Sequence, residues 1–397
     1  MILSQKNLNI SESLTLAIDA KAKKMLSEGY DVIGFGAGEP DFPTPDYIIQ
    51  AAKNALDQGL TRYTPSSGIL QLRKAICRKL ERDNHIVYTP DEIIVSNGAK
   101  HSLYNIFQAI LNPGDQVLIP KPYWLSYPEM VKMADGIPVF IDTKEENCFK
   151  VTRDDIEKAI NPNTKAIILN SPSNPNGCVY KKEELEVIAE LAVKRGLFIV
   201  SDEIYEEMVY DETQHVSIAS LNDKVKELTL TVNGMSKAYA MTGWRIGYVA
   251  GPLEVINVMS NIQSHSTSNP NSIAQYASIA ALETPKEKIQ EMVSVFDERR
   301  LYMVEKINSI PLLSCKLPKG SFYVMMNISQ AIGKRHGNTL INGSISFADA
   351  LLESKKVTIV PGIAFGADLF VRLSYATSMD KIQKGLDRIQ QFMEELV

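Results

Sequence analysis

The middle of the chain alternates short apolar runs with longer amphipathic stretches. The runs are rich in valine, isoleucine and leucine, as buried β-strands are. They are "EIIVSN" (92–97), "QVLIP" (116–120), "IPVFID" (137–142), "AIILNSP" (166–172), "LFIVSDE" (197–203), "LTLTVNG" (228–234) and "RIGYVAG" (245–251). Helical patterns lie between several of them, for instance over 99–111 and 182–195. This alternation predicts an α/β fold with a mostly parallel sheet and helices on both faces.

The pattern changes toward the C-terminus. A long amphipathic helix is predicted over about 285–309, followed by strands in "SFYVMMNI", "VTIVPG" and "FVRLSYA" and a last helix from about 379. We therefore predict a large domain over 46–285 and a smaller α+β domain over 286–397. The N-terminal segment, 1–45, is expected to pack with the small domain.

Polar residues follow four of the predicted strands. In an open α/β sheet, ligands bind beyond the carboxyl ends of the strands, so these residues are candidates for one site. Each also has an ordinary structural explanation, as a helix cap, a turn residue or a solvated lysine. The groups are Asn97-Gly98-Ala99-Lys100, Asn174, Asp202 with Tyr205, and, after the predicted turn Asn233-Gly234, Ser236 with Lys237.

One part of this edge suits an anion. Gly98-Ala99-Lys100 opens a predicted helix, where free N–H groups and the helix dipole favour a phosphate. Ser236 and Arg245 could bind the same anion. The chain has no GxxxxGK[ST] loop, and "GFGAGEP" (34–40) lacks the spacing of a dinucleotide fingerprint. A mononucleotide triphosphate or a nicotinamide cofactor is therefore not indicated.

An aromatic face lies at the same edge. Trp124 follows the strand 116–120, although a tryptophan there could equally belong to the core. Pyridoxal phosphate is a planar phosphorylated ring that uses a lysine for its Schiff base and an aspartate for its ring nitrogen. The set of Lys237, Asp202, Trp124 and the anion site therefore points to this cofactor.

Composition limits the remaining classes of function. The chain has 397 residues, 45% hydrophobic and 22% charged, with a net charge of −5, which argues against nucleic acid or an anionic membrane as the main partner. No signal peptide or membrane-spanning run is recognisable. The four cysteines and five histidines are scattered without metal-ligand spacing, so no metal site is predicted. We expect a reduced, cytoplasmic protein.

Several motifs, in this order, resemble those of class I/II pyridoxal-phosphate-dependent aminotransferases of fold type I, and within them the bacterial aspartate aminotransferases. The resemblance runs almost end to end: "GAGEPDFPTP" (36–45), "YTPSSGILQLR" (63–73), "NGAKHSLYNIFQAILNPGD" (97–115), "PYWLSYPEM" (122–130), "NSPSNPNG" (170–177), "VSDEIYEEMVY" (200–210), "SKAYAMTGWRIGY" (236–248) and "VRLSYA" (371–376).

The resemblance implies roles around the cofactor ring. Lys237 would form the Schiff base and act as general base for the proton shift from Cα. Asp202 would pair with the ring nitrogen, Tyr205 and Asn174 would hydrogen-bond the ring oxygen, and Trp124 would stack on the ring.

It also implies the phosphate and substrate contacts. The backbone of Ala99 and Lys100, with Ser236 and Arg245, would hold the phosphate. Tyr63 would reach the phosphate of the neighbouring subunit, which implies a homodimer with shared active sites.

The implied substrate is an amino acid with two carboxylates. Arg372, helped by Gly38, would bind the α-carboxylate; an arginine in a strand could also form a structural ion pair. Trp124 and Asn174 would contact the substrate as well as the cofactor. Lys100 is the candidate for the distal carboxylate, with the alternative of a solvated lysine at a helix start. Thr15, Ser13 and Ser268 could add hydroxyl groups.

The implied reaction moves the amino group of L-aspartate to 2-oxoglutarate. Relatives that also accept prephenate tend to carry a basic residue where Ser11 aligns, which disfavours that activity. Other readings remain open: an aminotransferase of broader specificity, for aromatic amino acids, alanine or prephenate, a C–S lyase on the same fold, or a ligand-sensing module.

Overall fold

The structure is a computed structural model that describes residues 8, 10, 11, 14–284 and 286–397, without the side chains of residues 15, 16 and 19. The helices of this part of the chain are α1 (Leu14–Ser27), α2 (Asp46–Asp57), α3 (Leu70–Asn84), α4 (Ala99–Ile110), α5 (Ser126–Met133), α6 (Arg153–Ala159), α7 (Lys182–Arg195), α8 (Asp223–Lys226), α9 (Leu253–Ser266), α10 (Ser272–Glu283), α11 (Glu287–Ser309), α12 (Ser344–Lys355) and α13 (Met379–Glu394).

The longer strands form two sheets. The strands are β1 (Ile33–Gly34), β2 (Ile93–Ser96), β3 (Gln116–Pro120), β4 (Ile137–Ile141), β5 (Thr164–Asn170), β6 (Phe198–Asp202), β7 (Thr229–Gly234), β8 (Gly247–Ala250), β9 (Ser314–Cys315), β10 (Tyr323–Asn327), β11 (Arg335–His336), β12 (Thr339–Leu340), β13 (Val357–Thr358), β14 (Val360–Pro361) and β15 (Phe370–Ser374).

The central sheet contains the seven strands predicted from the apolar runs. Their order is β2-β8-β7-β6-β5-β3-β4. Neighbouring strands are parallel except at β8, which runs antiparallel to β2 and β7. The prediction of a mostly parallel sheet is confirmed. Because β2, β5, β6 and β7 point the same way, their carboxyl ends share one edge.

Both faces of this sheet are buried by helices. Ala166 and Ile168 of β5 pack with residues of α4, α5 and α9. Ile167 and Leu169, which alternate with them along the strand, pack with residues of α6 and α7 on the opposite face. A strand buried on both faces carries a continuous apolar run, which explains why these strands were recognisable in the sequence.

The turn predicted at Asn233-Gly234 is wrong, although the apolar run 228–234 that contains both residues is a strand. Asn233 and Gly234 are the last two residues of β7 and pair with Tyr248 and Gly247 of β8. A side chain on Gly234 would approach the backbone of Ile246 and Gly247 within 2.8 Å, so close strand packing accounts for this glycine.

The C-terminal region builds its own core around a four-stranded antiparallel sheet, in the order β14-β15-β10-β9. Phe296 of α11, Phe347 of α12 and Ile389 of α13 are fully buried in that core. The single strand predicted for "VTIVPG" is wrong, because the chain changes partner at Ile359. β13 pairs with β1, and β14 pairs with β15.

The N-terminal segment contacts the C-terminal region. Ile33 and Gly34 of β1 lie opposite Val357 and Thr358 of β13. Ala22 of α1 is buried with Val32 and Leu352. The division at residues 45 and 285 stays a prediction. No helix among the described residues is long and apolar enough to cross a membrane.

Candidate active site

A cavity of about 520 Å³ lies at the carboxyl edge of the central sheet. Its size is typical of a small-molecule site. Eleven of the residues predicted from the sequence line it: Gly38, Ala99, Lys100, Trp124, Asn174, Asp202, Tyr205, Ser236, Lys237, Arg245 and Arg372. The structure therefore brings together segments that are more than 300 positions apart in the chain.

Among the described side chains, two other predicted contacts, Tyr63 and Ser268, do not line the cavity. Tyr63 is 92% exposed on the surface of the chain. Ser268 is half-buried beyond the end of α9, with a φ of 60°. Thr15 lies in α1, but its side chain is outside the described residues, as is all of Ser13.

Asp202 ends β6 and is the buried acid of the cavity. Its Oδ2 accepts a hydrogen bond from Tyr127 Oη at 2.7 Å, and its Oδ1 accepts one from the Ile204 N–H at 3.3 Å. Burial raises the pKa of Asp202 to about 6, although the Tyr127 hydrogen bond and the charge of Lys237 act in the opposite direction. A buried carboxylate of this kind favours a cationic partner in the cavity.

Lys237 follows the end of β7 and reaches across the cavity to the N-terminal segment. Its Nζ donates to the carbonyl of Gly38 at 2.5 Å and lies 5.9 Å from the centre of the Tyr205 ring. Burial lowers the pKa of Lys237 to about 8, and the positive charges of Arg245 and Arg372 add to that effect. The amine is thus more readily neutral, and more nucleophilic, than a surface lysine.

The anion site predicted from the sequence corresponds to the first turn of α4. Gly98 precedes this helix with a φ of 89°, and a Cβ there would lie 2.2 Å from Arg245 Nη2, so only glycine fits. Arg245 donates to the carbonyls of Thr242 and Asn97. It forms no ion pair within the described part of the chain, so its charge is available to an anion.

Lys100 stands on the solvent side of that turn. Its Nζ lies 5.0 Å from the centre of the Trp124 ring, a cation–π contact. Burial of part of the side chain lowers the pKa of Lys100, and the charge of Arg245 lowers it further. The position leaves the ammonium at the mouth of the cavity.

Arg372 is the buried cation of the site, with 3% of its surface exposed. Its Nη1 donates to Asn174 Oδ1 at 2.9 Å and its Nη2 to the carbonyl of Gly36 at 3.0 Å. Its Nε has no hydrogen-bond partner within the described residues. A buried guanidinium that pairs only with neutral groups favours a carboxylate ligand. The alternative of a structural ion pair finds no support in the described residues.

Nine further residues that line the cavity were not predicted from the sequence, Tyr127, Lys23, Glu39 and Tyr323 among them. Tyr127 lies three positions after Trp124, a helical spacing that could have indicated it. Lys23 comes from α1, Glu39 from the segment after β1 and Tyr323 from β10. These elements reach the cavity through tertiary packing, which no local pattern reveals.

A cluster of metal-type side chains lies outside the cavity. Ligand atoms of Glu203, Glu206 and His215 lie within 4.8 Å of one another. Glu203 already accepts hydrogen bonds from Ser201 and Ser217 and contacts His215 Nε2 at 3.1 Å. Glu206 pairs with Lys79. These partners account for the charges of the cluster without an ion, and the absence of a metal site stays a prediction.

Residues 30–389 match the family described as aminotransferase class I and II. The chain belongs to this family.

Within that family, the chain is similar over its full length to individual aspartate aminotransferases. An aspartate aminotransferase of Bacillus subtilis is 49% identical over 395 residues, which cover all of both chains. The crystal structure of the Rhizobium meliloti aspartate aminotransferase superposes with a TM-score of 0.97 at 42% identity and full coverage of both chains. The Thermus thermophilus aspartate aminotransferase with maleate gives 0.93 at 42% identity, covering 99% of this chain and all of the other.

Proposed function

We propose that this chain is an aspartate aminotransferase, which moves the amino group of L-aspartate to 2-oxoglutarate and yields oxaloacetate and L-glutamate. The observation that carries the proposal is the pairing, in one cavity, of a lysine and a buried aspartate with two separate cationic sites, Arg245 and Arg372. The full-length relatives with this activity support the same assignment.

The residues present fit pyridoxal phosphate as the cofactor. The free N–H groups at the start of α4 suit the phosphate. Gly98, which precedes that helix, has no side chain, and this leaves room for the Arg245 guanidinium beside them. Asp202 suits a protonated ring nitrogen, because a cation there would relieve its buried charge. Trp124 would stack on the ring, Tyr205 and Asn174 would bind the ring oxygen, Ser236 would add a phosphate contact, and Lys237 would attach the cofactor covalently.

When bound, pyridoxal phosphate supplies an electron sink that makes the Cα proton of the amino acid acidic. Lys237 is the residue whose amine would accept that proton and later give it back, as general base and then general acid. Burial serves this task, since it lowers the pKa of Lys237 to about 8 and increases the fraction of neutral amine near pH 7. Asp202 would hold a proton on the ring nitrogen by pairing with it.

Arg372 sets the orientation of the substrate. A bidentate bond from Nε and Nη2 to the α-carboxylate would satisfy the unpartnered Nε and replace the hydrogen bond to the Gly36 carbonyl, while Nη1 keeps its hydrogen bond to Asn174. Gly38 lines the same wall, and its missing side chain leaves room there. The amino group is then directed toward Lys237 and the Cα proton toward its amine.

Specificity for a second carboxylate would come from the mouth of the cavity. Lys100 is the cation we assign to the distal carboxylate, and the Thr15 hydroxyl is assigned as a further contact. The relative whose structure contains maleate, a dicarboxylate, supports a second subsite that binds a carboxylate.

We further propose a cytoplasmic homodimer with shared active sites. A tyrosine that is 92% exposed is unusual on a monomer, and Tyr63 would reach the phosphate site of the neighbouring subunit. Sedimentation of the purified protein tests the dimer.

A product assay tests the reaction. The enzyme is given L-aspartate and 2-oxoglutarate, and oxaloacetate and glutamate are measured. Equal amounts of the two products support the proposal. Formation of pyruvate and ammonia from a sulfur amino acid, without transfer, would support a C–S lyase instead. Parallel assays with alanine, tyrosine and prephenate define any broader specificity.

A further inference from the structure

Tyr323 joins the substrate end of the cavity to the cofactor end. It opens β10, is 1% exposed and lines the cavity from the C-terminal region. Its Oη lies 3.0 Å from Tyr205 Oη, and the Arg372 guanidinium carbon lies 4.3 Å from the centre of its ring. One side chain therefore contacts both the residue assigned to the ring oxygen and the residue assigned to the α-carboxylate.

The role proposed for Tyr205 sets the direction of this hydrogen bond. The distance between the two hydroxyl oxygens is compatible with either tyrosine as the donor. Burial raises the pKa of both phenols, so each keeps its single hydroxyl proton near neutral pH. Tyr205 needs its proton for the cofactor ring oxygen, so in the loaded enzyme Tyr323 is the donor of this pair and Tyr205 Oη the acceptor. The proton of Tyr205 is then free to point into the cavity, which Tyr205 also lines.

We propose that Tyr323 is a positioning residue with two separable parts: its hydroxyl aligns and strengthens Tyr205 as a donor to the cofactor ring oxygen, and its ring supports Arg372 for the α-carboxylate. This inference rests on the proposed function. It assigns to one side chain of the C-terminal region a link between the two ends of the site.

Other groups that face this pair have to be kept constant in any pH measurement. The titratable and charged side chains around Tyr205 and Tyr323 are Arg372 from β15, Asp202 from β6, and Lys237 after β7. None of them is altered in the variants below.

Two substitutions separate the two parts. Tyr323→Phe removes the hydroxyl and keeps the ring, and Tyr323→Leu removes both. Tyr375→Phe is the matched control, because Tyr375 is another buried tyrosine of the same region whose Oη donates to the carbonyl of Ser321, away from the cavity. Each protein is loaded with pyridoxal phosphate.

Two quantities are measured, neither of them turnover. The first is the pH at which the visible absorption band of the bound cofactor changes. The second is the dissociation constant of 2-methyl-L-aspartate, which lacks a Cα proton and therefore binds without transamination.

Tyr323→Phe is expected to shift the spectral transition to higher pH by about half a unit, because a less stabilised ring oxygen holds the shared proton more strongly. Its affinity for 2-methyl-L-aspartate stays within about twofold of wild type, since the ring is retained. Tyr323→Leu shifts the transition and also weakens the affinity on the order of tenfold. Tyr375→Phe changes neither quantity.

An unshifted transition in Tyr323→Phe, or a shift no larger than that of Tyr375→Phe, overturns the inference while leaving the proposed function intact. Equal loss of 2-methyl-L-aspartate affinity in the Phe and Leu variants overturns the division between hydroxyl and ring. A wild-type protein that develops no visible band with pyridoxal phosphate overturns the proposed function itself, and this inference with it.

Discussion

The inner end of the cavity and its mouth are built differently. At the inner end, Asn174, Asp202, Tyr205 and Arg372 are each no more than 7% exposed and are held by hydrogen bonds from neighbouring elements. At the mouth, Lys23, Glu39 and Lys100 are exposed on short segments or helix surfaces. Rigidly held side chains are suited to catalysis, whereas exposed charged side chains can be substituted without disturbing the core. We therefore expect reaction type to reside at the inner end and substrate choice at the mouth.

The largest expected effect is that of Lys237→Ala. Loss of the covalent attachment point and of the general base should lower turnover by at least about 10⁴-fold with every amino acid. The absorption band of the Schiff base with Lys237 should be lost as well. Lys182→Ala, which removes an exposed lysine of α7, is the control and should behave as wild type. Normal turnover in Lys237→Ala would refute the central assignment.

Asp202→Asn should separate activity from stability. Turnover should fall on the order of 10³-fold, because a neutral amide does not hold the proton on the ring nitrogen. In the ligand-free protein, by contrast, the substitution should stabilise the fold. The native pKa of Asp202 is about 6, against 3.8 for the free side chain, so the native state holds this proton more strongly than the unfolded state.

The pH dependence follows from that difference. Between pH 3.8 and 6, the unfolded state binds fewer protons at this group than the native state, so stability falls as pH rises. The loss is complete above pH 6 and amounts to at most about 3 kcal/mol. Urea unfolding of ligand-free wild type and Asp202→Asn at pH 5 and pH 8 measures it. A gap between the two proteins that does not widen at pH 8 would contradict the account.

Arg372→Lys should weaken every substrate alike. The bidentate contact with the α-carboxylate is lost, and kcat/KM should fall on the order of 10²-fold for aspartate and for alanine. The cofactor spectrum should remain, since Arg372 lies away from the anion site. Arg388→Lys, on the surface beside Asp31, is the control. A loss confined to aspartate would place Arg372 at the distal carboxylate instead.

Lys100→Ala tests the mouth and should have the smallest effect. The backbone N–H that serves the phosphate is retained, so only substrate choice should change. We expect kcat/KM for aspartate to fall on the order of tenfold, and that for alanine or tyrosine to change by less than about twofold. Lys24→Ala on α1 is the control. Equal losses for all three amino acids would remove Lys100 from substrate selection.

More of the residues at the inner end of the cavity than at its mouth could be located from the sequence. Strands buried on both faces leave continuous apolar runs, so the strand ends that carry Asp202 and Lys237 could be located. Helix α7 was also predicted with its observed bounds, since an acidic first turn and the following Gly196 mark its ends.

Tertiary packing accounts for what was missed. The strand pattern of "VTIVPG" gives no sign that the chain changes sheets at Ile359. Lys23 reaches the cavity because α1 packs against the C-terminal region, whose antiparallel sheet brings Tyr323 to the same cavity. Tyr63 was assigned through family resemblance alone, and in one chain its side chain faces solvent.

The central claim is tested most directly by the visible absorption spectrum of the protein with pyridoxal phosphate, before and after addition of L-aspartate. The account predicts a band from the lysine-bound cofactor that falls on addition of aspartate and returns on addition of 2-oxoglutarate. A protein that develops no such band, or one whose band ignores aspartate and responds to another amino acid, would contradict it.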